Sequence, residues 1–204
     1  MSRARVRPTR DETRRRLFRA AAEVFAHHGV GAATVEQIAA AAGFTRGAFY
    51  SNFAGKQELA VAMLDDHLAR SQAHNRALLA RHPDPAGFVQ ALRDDVGRED
   101  DPLHTTPLLQ VELMLYVART PELRPVLGAH LRAMRSLVGE IAATTVRASG
   151  VDLPVGPAEL GTILVAVEDG LRLHRLIDPD STAPDAFLDA LEALERIVLA
   201  ARRG

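Results

Sequence analysis

The sequence predicts an all-α protein, and three observations carry that expectation. Apolar residues recur at helical spacing along most of the chain. Glycine and proline fall between these periodic runs, where helices start and stop. Aromatic residues are only 4% of a chain that is 47% hydrophobic and 25% charged, a balance that suits helices better than sheets. About nine helices are expected in two parts: a three-helix N-terminal domain over residues 1–55 and a larger helical domain over 56–204. At 204 residues, either one large domain or two small ones could bury a core.

Composition removes several classes of function. The chain has no cysteine, so disulfides, thiolate metal sites and cysteine nucleophiles are excluded. No apolar run approaches the roughly 20 residues of a membrane span. The N-terminus is rich in arginine but lacks the apolar core of a signal peptide, so a cytoplasmic protein is expected. The formal net charge of −1 hides an asymmetry: residues 1–60 carry ten basic and five acidic side chains, and the remainder fifteen and twenty-one. A basic head on an acidic body fits a polyanionic partner, although a merely solvated charged face gives the same count.

Arg3, Arg5 and Arg7 precede Pro8 in a stretch with little to bury, and a mobile tail is expected there. Thr9 followed by Glu12 forms a capping box, which opens a helix over 10–28 with Leu17, Ala21, Val24 and Phe25 on its buried side. His27, His28 and then Gly29 are the chemistry of a helix end. Thr34 with Gln37 is a second capping box, and Gly43 closes the short helix it starts by supplying a left-handed turn. Phe44 is expected to plug the core, and Thr45 to cap a third helix over 45–52. Gly47 costs that helix propensity, which suggests a backbone that something approaches closely.

Helix, glycine turn and short polar helix together make a helix-turn-helix, whose second helix is built to enter the major groove of DNA. The pattern T-x-x-x-I-A-x-x-A-G-x-[ST]-x-G-A-x-Y-x-x-F-x-x-K-x-x-L resembles the DNA-binding domain of the tetracycline-repressor (TetR) family. It is met at Thr34, Ile38, Ala39, Ala42, Gly43, Thr45, Gly47, Ala48, Tyr50, Phe53, Lys56 and Leu59. Phe25, Ala26 and Gly29 extend the resemblance through the first helix, to residues 10–65. Phe44 and Phe49 replace commoner aliphatics, and Ser51-Asn52 replaces a frequent aromatic or histidine pair, which bears on the operator sequence.

The resemblance implies phosphate contacts from Thr34, Tyr50 and Lys56 and a base contact from Arg46, most plausibly to guanine. Thr45, Gly47 and Asn52 would be secondary contacts. Phe49 and Phe53 read as core.

In the body, helices are expected over 56–81, 86–96, 107–119, from Pro121, over 157–177 and over 184–202, with a loop from Gly97 to Thr106. The 107–119 segment is apolar on nearly every side and reads as a central buried helix. Gly161 and Gly170 read as close-approach points in the 157–177 helix. The last two helices look too apolar for a surface hairpin, so pairing with a second subunit is expected through Leu160, Leu164, Val167, Leu171, His174, Phe187, Leu191, Leu194 and Val198. Two recognition helices in a homodimer would read a palindrome.

By the same resemblance a small apolar effector is expected to bind among the fourth to seventh helices and to release the DNA. The candidate lining is His67, Phe88, Leu92, Leu108, Glu112, Met114, Tyr116, His130 and Met134, each of which also reads as core. The partners expected are therefore a double-stranded DNA operator, that effector and a second copy of the chain, with no membrane.

No nucleophile elbow, phosphate loop or metal signature occurs, and His67 and His74 are too far apart for a helical metal pair. No enzyme activity, catalytic residue, metal or cofactor is expected. The reading is a ligand-responsive repressor, with a metal-sensing regulator or a transcriptional activator of the same fold as the alternatives.

Overall fold

The computed structural model describes residues 8–95, 107–148, 150 and 154–201. The arginine tail before Pro8 and the expected loop at 97–106 lie outside the described residues. Among the described residues all regular structure is helical: α1 (Arg10–Ala32), α2 (Val35–Ala41), α3 (Arg46–Tyr50), α4 (Lys56–Arg81), α5 (Pro85–Asp95), α6 (Pro107–Ala118), α7 (Arg124–Ala148), α8 (Pro157–Ile177) and α9 (Ala186–Ala201). A single 3-10 turn, Pro121–Leu123, precedes α7 and takes the place where that helix was expected to begin.

The expected capping box opens α1: the Thr9 amide donates to Glu12 Oε2 at 2.8 Å, and the Glu12 amide donates to Thr9 Oγ1 at 3.2 Å. Gly29 stands at φ +76, so regular helix stops at residue 28 as read, and one further turn follows the kink. A side chain at Gly29 would be strained by its φ, and its Cβ would lie 3.0 Å from Glu112 Oε2 of α6.

The chain forms two compact units, Met1–Asp66 with Asp101–Leu127, and His67–Asp100 with Gly128–Gly204. In the first, α1, α2 and α3 share one core with the start of α4 and with α6. Leu17, Phe25, Ile38, Phe49, Phe53, Leu59, Leu109 and Leu113 are almost wholly excluded from water there. α6 contributes one face only. Leu109, Leu113 and Val117 are buried, but Leu108 and Leu115 are 40% and 43% exposed, which corrects the expectation of a helix buried all round. An apolar composition fixes what a helix can bury, not how many neighbours it has.

In the second unit α7 and α8 cross in contact at two glycines. A Cβ on Gly161 would sit 1.9 Å from the Arg135 carbonyl oxygen, and one on Gly139 would sit 1.9 Å from that of Pro157. No side chain fits at either position. Gly170 is different: among the described residues a Cβ there would meet nothing within 4 Å, so no close approach is made at it there.

The Gly161 crossing sets the rotation of α8. At 3.6 residues per turn Leu164 and Val165 fall beside Gly161 and are buried, whereas Ile163, Ala166, Gly170, Leu173 and Ile177 lie on the opposite side. Of the stripe expected to face a second subunit, Leu164 is buried within the chain, Leu160, Val167 and Leu171 are half-buried, and His174 is exposed. On α9, Phe187 and Leu191 are half-buried, Leu194 is exposed, and the Val198 side chain lies outside the described residues.

One arginine ties α5 to α9. Arg93 donates to Asp185, to Asp189 at 2.8 Å and to Glu192 at 2.9 Å. Its hydrogen bonds to Asp189 and then Glu192 raise its pKa further above the ordinary arginine value.

Candidate nucleic-acid interface

The α2–turn–α3 segment is assembled by caps and clamps from both ends. Thr34 and Gln37 form the second capping box, with the Gln37 amide donating to Thr34 Oγ1 at 3.2 Å and the Thr34 amide donating to Gln37 Oε1 at 2.8 Å. At the other end Gly43 turns at φ +72, and the Gly43 and Phe44 amides return to the Ala40 and Ala39 carbonyls. Arg16 of α1 completes this end: its Nη2 donates to the Ala42 carbonyl at 2.9 Å, and its guanidinium carbon lies 4.6 Å from the centre of the Phe44 ring. Phe44 is therefore half-buried beneath an arginine and not a full plug of the core.

Helix α3 is capped by Thr45, whose Oγ1 accepts from the Ala48 amide at 3.2 Å. Its inner side is Phe49, with Phe53 just beyond its end, and both are buried. Five residues cannot hold a helix alone, so this aromatic anchorage is what keeps α3 folded. Its outer side presents Thr45, Arg46, Gly47, Tyr50 and Ser51 to solvent, with Tyr50 49% exposed. The only atom within 4 Å of a Cβ on Gly47 would be Thr45 Oγ1 at 3.8 Å, and its φ is not positive. Nothing among the described residues requires a glycine there.

Besides the capping threonines Thr34 and Thr45, the expected DNA-facing side chains Arg46, Lys56 and Asn52 are engaged within the chain. Arg46 Nε is 2.8 Å from Glu36 Oε1, both side chains being more than half exposed, and its guanidinium lies 5.9 Å from the Tyr50 ring. Lys56 Nζ donates to the carbonyls of Gly31 and of Ala33, the latter at 2.9 Å, and so ties the start of α4 to the α1–α2 junction. Asn52 folds back on its own helix. Its Nδ2 donates to the Ala48 carbonyl at 2.8 Å and to Ser51 Oγ at 3.3 Å, and its Oδ1 is buried. Asparagine at the end of a short helix competes for free backbone carbonyls, which explains why it does not project outward.

The nine effector candidates divide between the two units. Leu108, Glu112, Met114 and Tyr116 belong to the first, where Glu112 lies against Gly29 and the Tyr116 hydroxyl accepts from Gln57 Nε2 at 3.3 Å. His67, Phe88, Leu92, His130 and Met134 belong to the second, where Phe88 and His130 are buried and the His67 and His130 rings are 6.3 Å apart. Among the described residues no three His, Asp or Glu side chains converge as a cation site, and no helix is long and apolar enough to cross a membrane.

Sequence reasoning missed Arg16 and Glu36. Both act on partners in another helix, and local patterns carry no signal for that.

Comparison with known proteins adds two family matches. "Bacterial regulatory proteins, tetR family" matches residues 17–63, and "Tetracyclin repressor-like, C-terminal domain" matches residues 83–200. The HTH-type transcriptional regulator SrpR of Pseudomonas putida is 54% identical over 54 residues, which are 26% of this chain and 25% of that protein. The curated relatives are matched over 25% to 64% of their own length. Among solved structures, a transcriptional regulator from Pseudomonas aeruginosa PAO1 superimposes with a TM-score of 0.73 at 21% identity, covering 97% of this chain and 95% of that one. A regulator from Saccharomonospora viridis, solved in complex with choline, gives a TM-score of 0.70 at 18% identity over 90% and 95% of the two chains. Both likenesses concern the fold.

Proposed function

This chain belongs to the tetR family of DNA-binding transcriptional regulators, and from that premise we propose a dimeric repressor that leaves a palindromic operator when a small, largely apolar effector binds. Residues 1–55 carry the DNA contacts, and residues 56–204 carry dimerisation and effector binding. The observation that supports this best is the outer side of α3. A glycine that the fold does not need lies between Arg46 and Tyr50, on a helix whose other side is fully anchored. Open space over Gly47 lets the phosphate backbone or a base edge approach the main chain.

In this reading Arg46 reads a guanine through a two-pronged contact worth roughly 1–3 kcal/mol. Thr34 and Tyr50 meet phosphates, and Thr45 and Gly47 line the approach. Lys56 serves twice: two of its hydrogen bonds hold the Gly31 and Ala33 carbonyls, and its remaining N–H is directed to a phosphate. Asn52 is a shape-holding residue and not a contact. The second copy covers the outer side of α8, at Ile163, Ala166, Gly170, Leu173 and Ile177, together with Leu194 of α9. The effector is taken up by the second unit, near His67, Phe88, Leu92, His130 and Met134; the choline complex of the S. viridis regulator is a precedent for a small organic ligand on this fold.

The deciding experiment is binding to a duplex from the chain's own promoter region across a salt series. A steep loss of affinity with salt, absent for a variant carrying Arg46→Ala and Tyr50→Ala, is the expected result. Affinity that ignores both salt and the double substitution would refute the reading.

A further inference from the structure

We propose that Glu36 of α2 is a positioning residue for sequence readout: it holds the Arg46 guanidinium by Nε so that its two terminal nitrogens face the base edge together. This rests on the DNA-reading role of Arg46 proposed above and adds to it a residue that has no base to touch itself.

The geometry points this way for three reasons. First, the contact is made by Nε, 2.8 Å from Glu36 Oε1. An arginine held at Nε keeps both Nη groups free, and those are the prongs that match the two acceptors of guanine. Second, Arg46 is otherwise a long, exposed side chain on the first turn of a five-residue helix. Tyr50 borders it on one side and Glu36 on the other, so the pair narrows the directions it samples before DNA arrives. Part of the ordering cost of binding is thereby met within the protein.

Third, Glu36 is an acid on the face turned to a polyanion. Its place in the first turn of α2 gains from the helix dipole, but that gain needs no contact with Arg46. An unpaired carboxylate there repels phosphate; paired with Arg46 it is neutralised. Glu36 thus penalises any docking in which Arg46 leaves it for a phosphate, and favours docking in which Arg46 keeps its forward direction. The net result is discrimination and not affinity.

The test is selection from a random-sequence duplex pool with five full-length proteins: wild type, Glu36→Ala, Glu36→Gln, Arg46→Ala and the double variant Glu36→Ala with Arg46→Ala. Melting temperatures are recorded alongside. Wild type is expected to enrich a palindrome, and Arg46→Ala to lose preference at one symmetric pair of positions. Glu36→Ala should lose preference at that same pair, by roughly three- to tenfold, while the other positions are kept. Glu36→Gln keeps an acceptor for Nε and should retain most of the preference while binding random duplex more tightly than wild type. In the Arg46→Ala background, removing Glu36 should strengthen binding to random duplex.

If Glu36→Ala leaves the Arg46 positions as sharp as in wild type, or blunts every position evenly as the melting temperature falls, the inference is overturned and the DNA-reading role of Arg46 stands. If wild type enriches no sequence at all, the DNA-reading role itself fails and takes the inference with it.

Discussion

The two compact units of this chain bury their apolar residues to different degrees. Every one of the largest fully buried side chains among the described residues, from Leu17 and Phe25 to Leu109 and Leu113, lies in the first unit. The second buries Leu78, Phe88, Leu137, Leu164, Val165 and Leu188 less completely, and it leaves Ile163, Leu173, Ile177 and Leu194 in water, with Ile177 77% exposed. The first unit also leaves Leu108, Leu115 and Val126 exposed by 40% to 43%, so what distinguishes it is the depth of its core and not the absence of uncovered apolar residues. That is the pattern expected when the first must be rigid to present a short helix to a groove and the second is finished by another molecule.

The comparison is broken most severely by emptying the first core. Phe49→Ala removes a fully buried ring that contacts Phe53 and carries α3. It should cost about 3–5 kcal/mol, measured by denaturant unfolding, and should abolish duplex binding even where the protein remains folded. The α8 surface gives the contrasting case. Ile177→Asp or Leu173→Asp should leave the unfolding free energy of a dilute sample within about 0.5 kcal/mol of wild type but shift sedimentation from dimer to monomer. The inward neighbour Leu164→Asp should unfold the second unit instead. Equal effects from Leu164 and Ile177 would mean that the two sides of α8 are not distinct.

A finer comparison lies within α8. Gly161→Ala places a methyl against the Arg135 carbonyl and should cost at least about 1–3 kcal/mol as the helices move apart. Gly170→Ala meets open space and should gain helix propensity of up to about 1 kcal/mol in the monomer. In a dimer that uses Gly170 as its own close-approach point, the same change should weaken association. Sedimentation and thermal melting of the pair separate the two glycines.

The contrast also explains what could be read from the residues. Helix α4 was legible to both ends, and α8 likewise, because proline, glycine and capping chemistry are local and sit at the boundaries. The caps at Thr9, Thr34 and Thr45 and the turns at Gly29 and Gly43 were legible for the same reason. Rotation was not. Residues 160, 164, 167 and 171 form one apolar stripe of α8 and 163, 166, 170 and 173 another, and periodicity cannot say which one meets α7. That was decided where Gly161, legible as a close-approach point, meets Gly139 and the Arg135 carbonyl of α7, partners on a different helix that no local pattern marks. At the proposed DNA-facing surface the residue types on α3 were legible, but their engagements were not. Glu36 on Arg46, Arg16 on Ala42, and Gly31 and Ala33 on Lys56 all join residues from separate helices, so only the fold brings them together.

The smallest effect sharpens the comparison at the first unit's own edge, where α1 begins in water and its core gives it no help. Glu12 accepts the Thr9 amide and hydroxyl, and the backbone hydrogen bond, followed by the side-chain one, lowers its carboxyl pKa below the ordinary value. A depressed folded pKa means that this contribution is present above the unfolded pKa and is lost as pH falls through the folded one. Acidification should therefore fray the first turn of α1 in the range below the usual carboxylate pKa, before the aromatic core around Phe49 responds. Amide exchange at Glu12 and Thr13 should accelerate on that acid limb, and Glu12→Gln should flatten the response, since its amide keeps a neutral acceptor at every pH. Thr9→Ala should cost about 1 kcal/mol at neutral pH and shrink the acid step without removing it, because the backbone amide at position 9 still donates to Glu12. An acid step that survives Glu12→Gln undiminished would assign it to another carboxylate and leave the capping box without a measurable part in the pH response of the head.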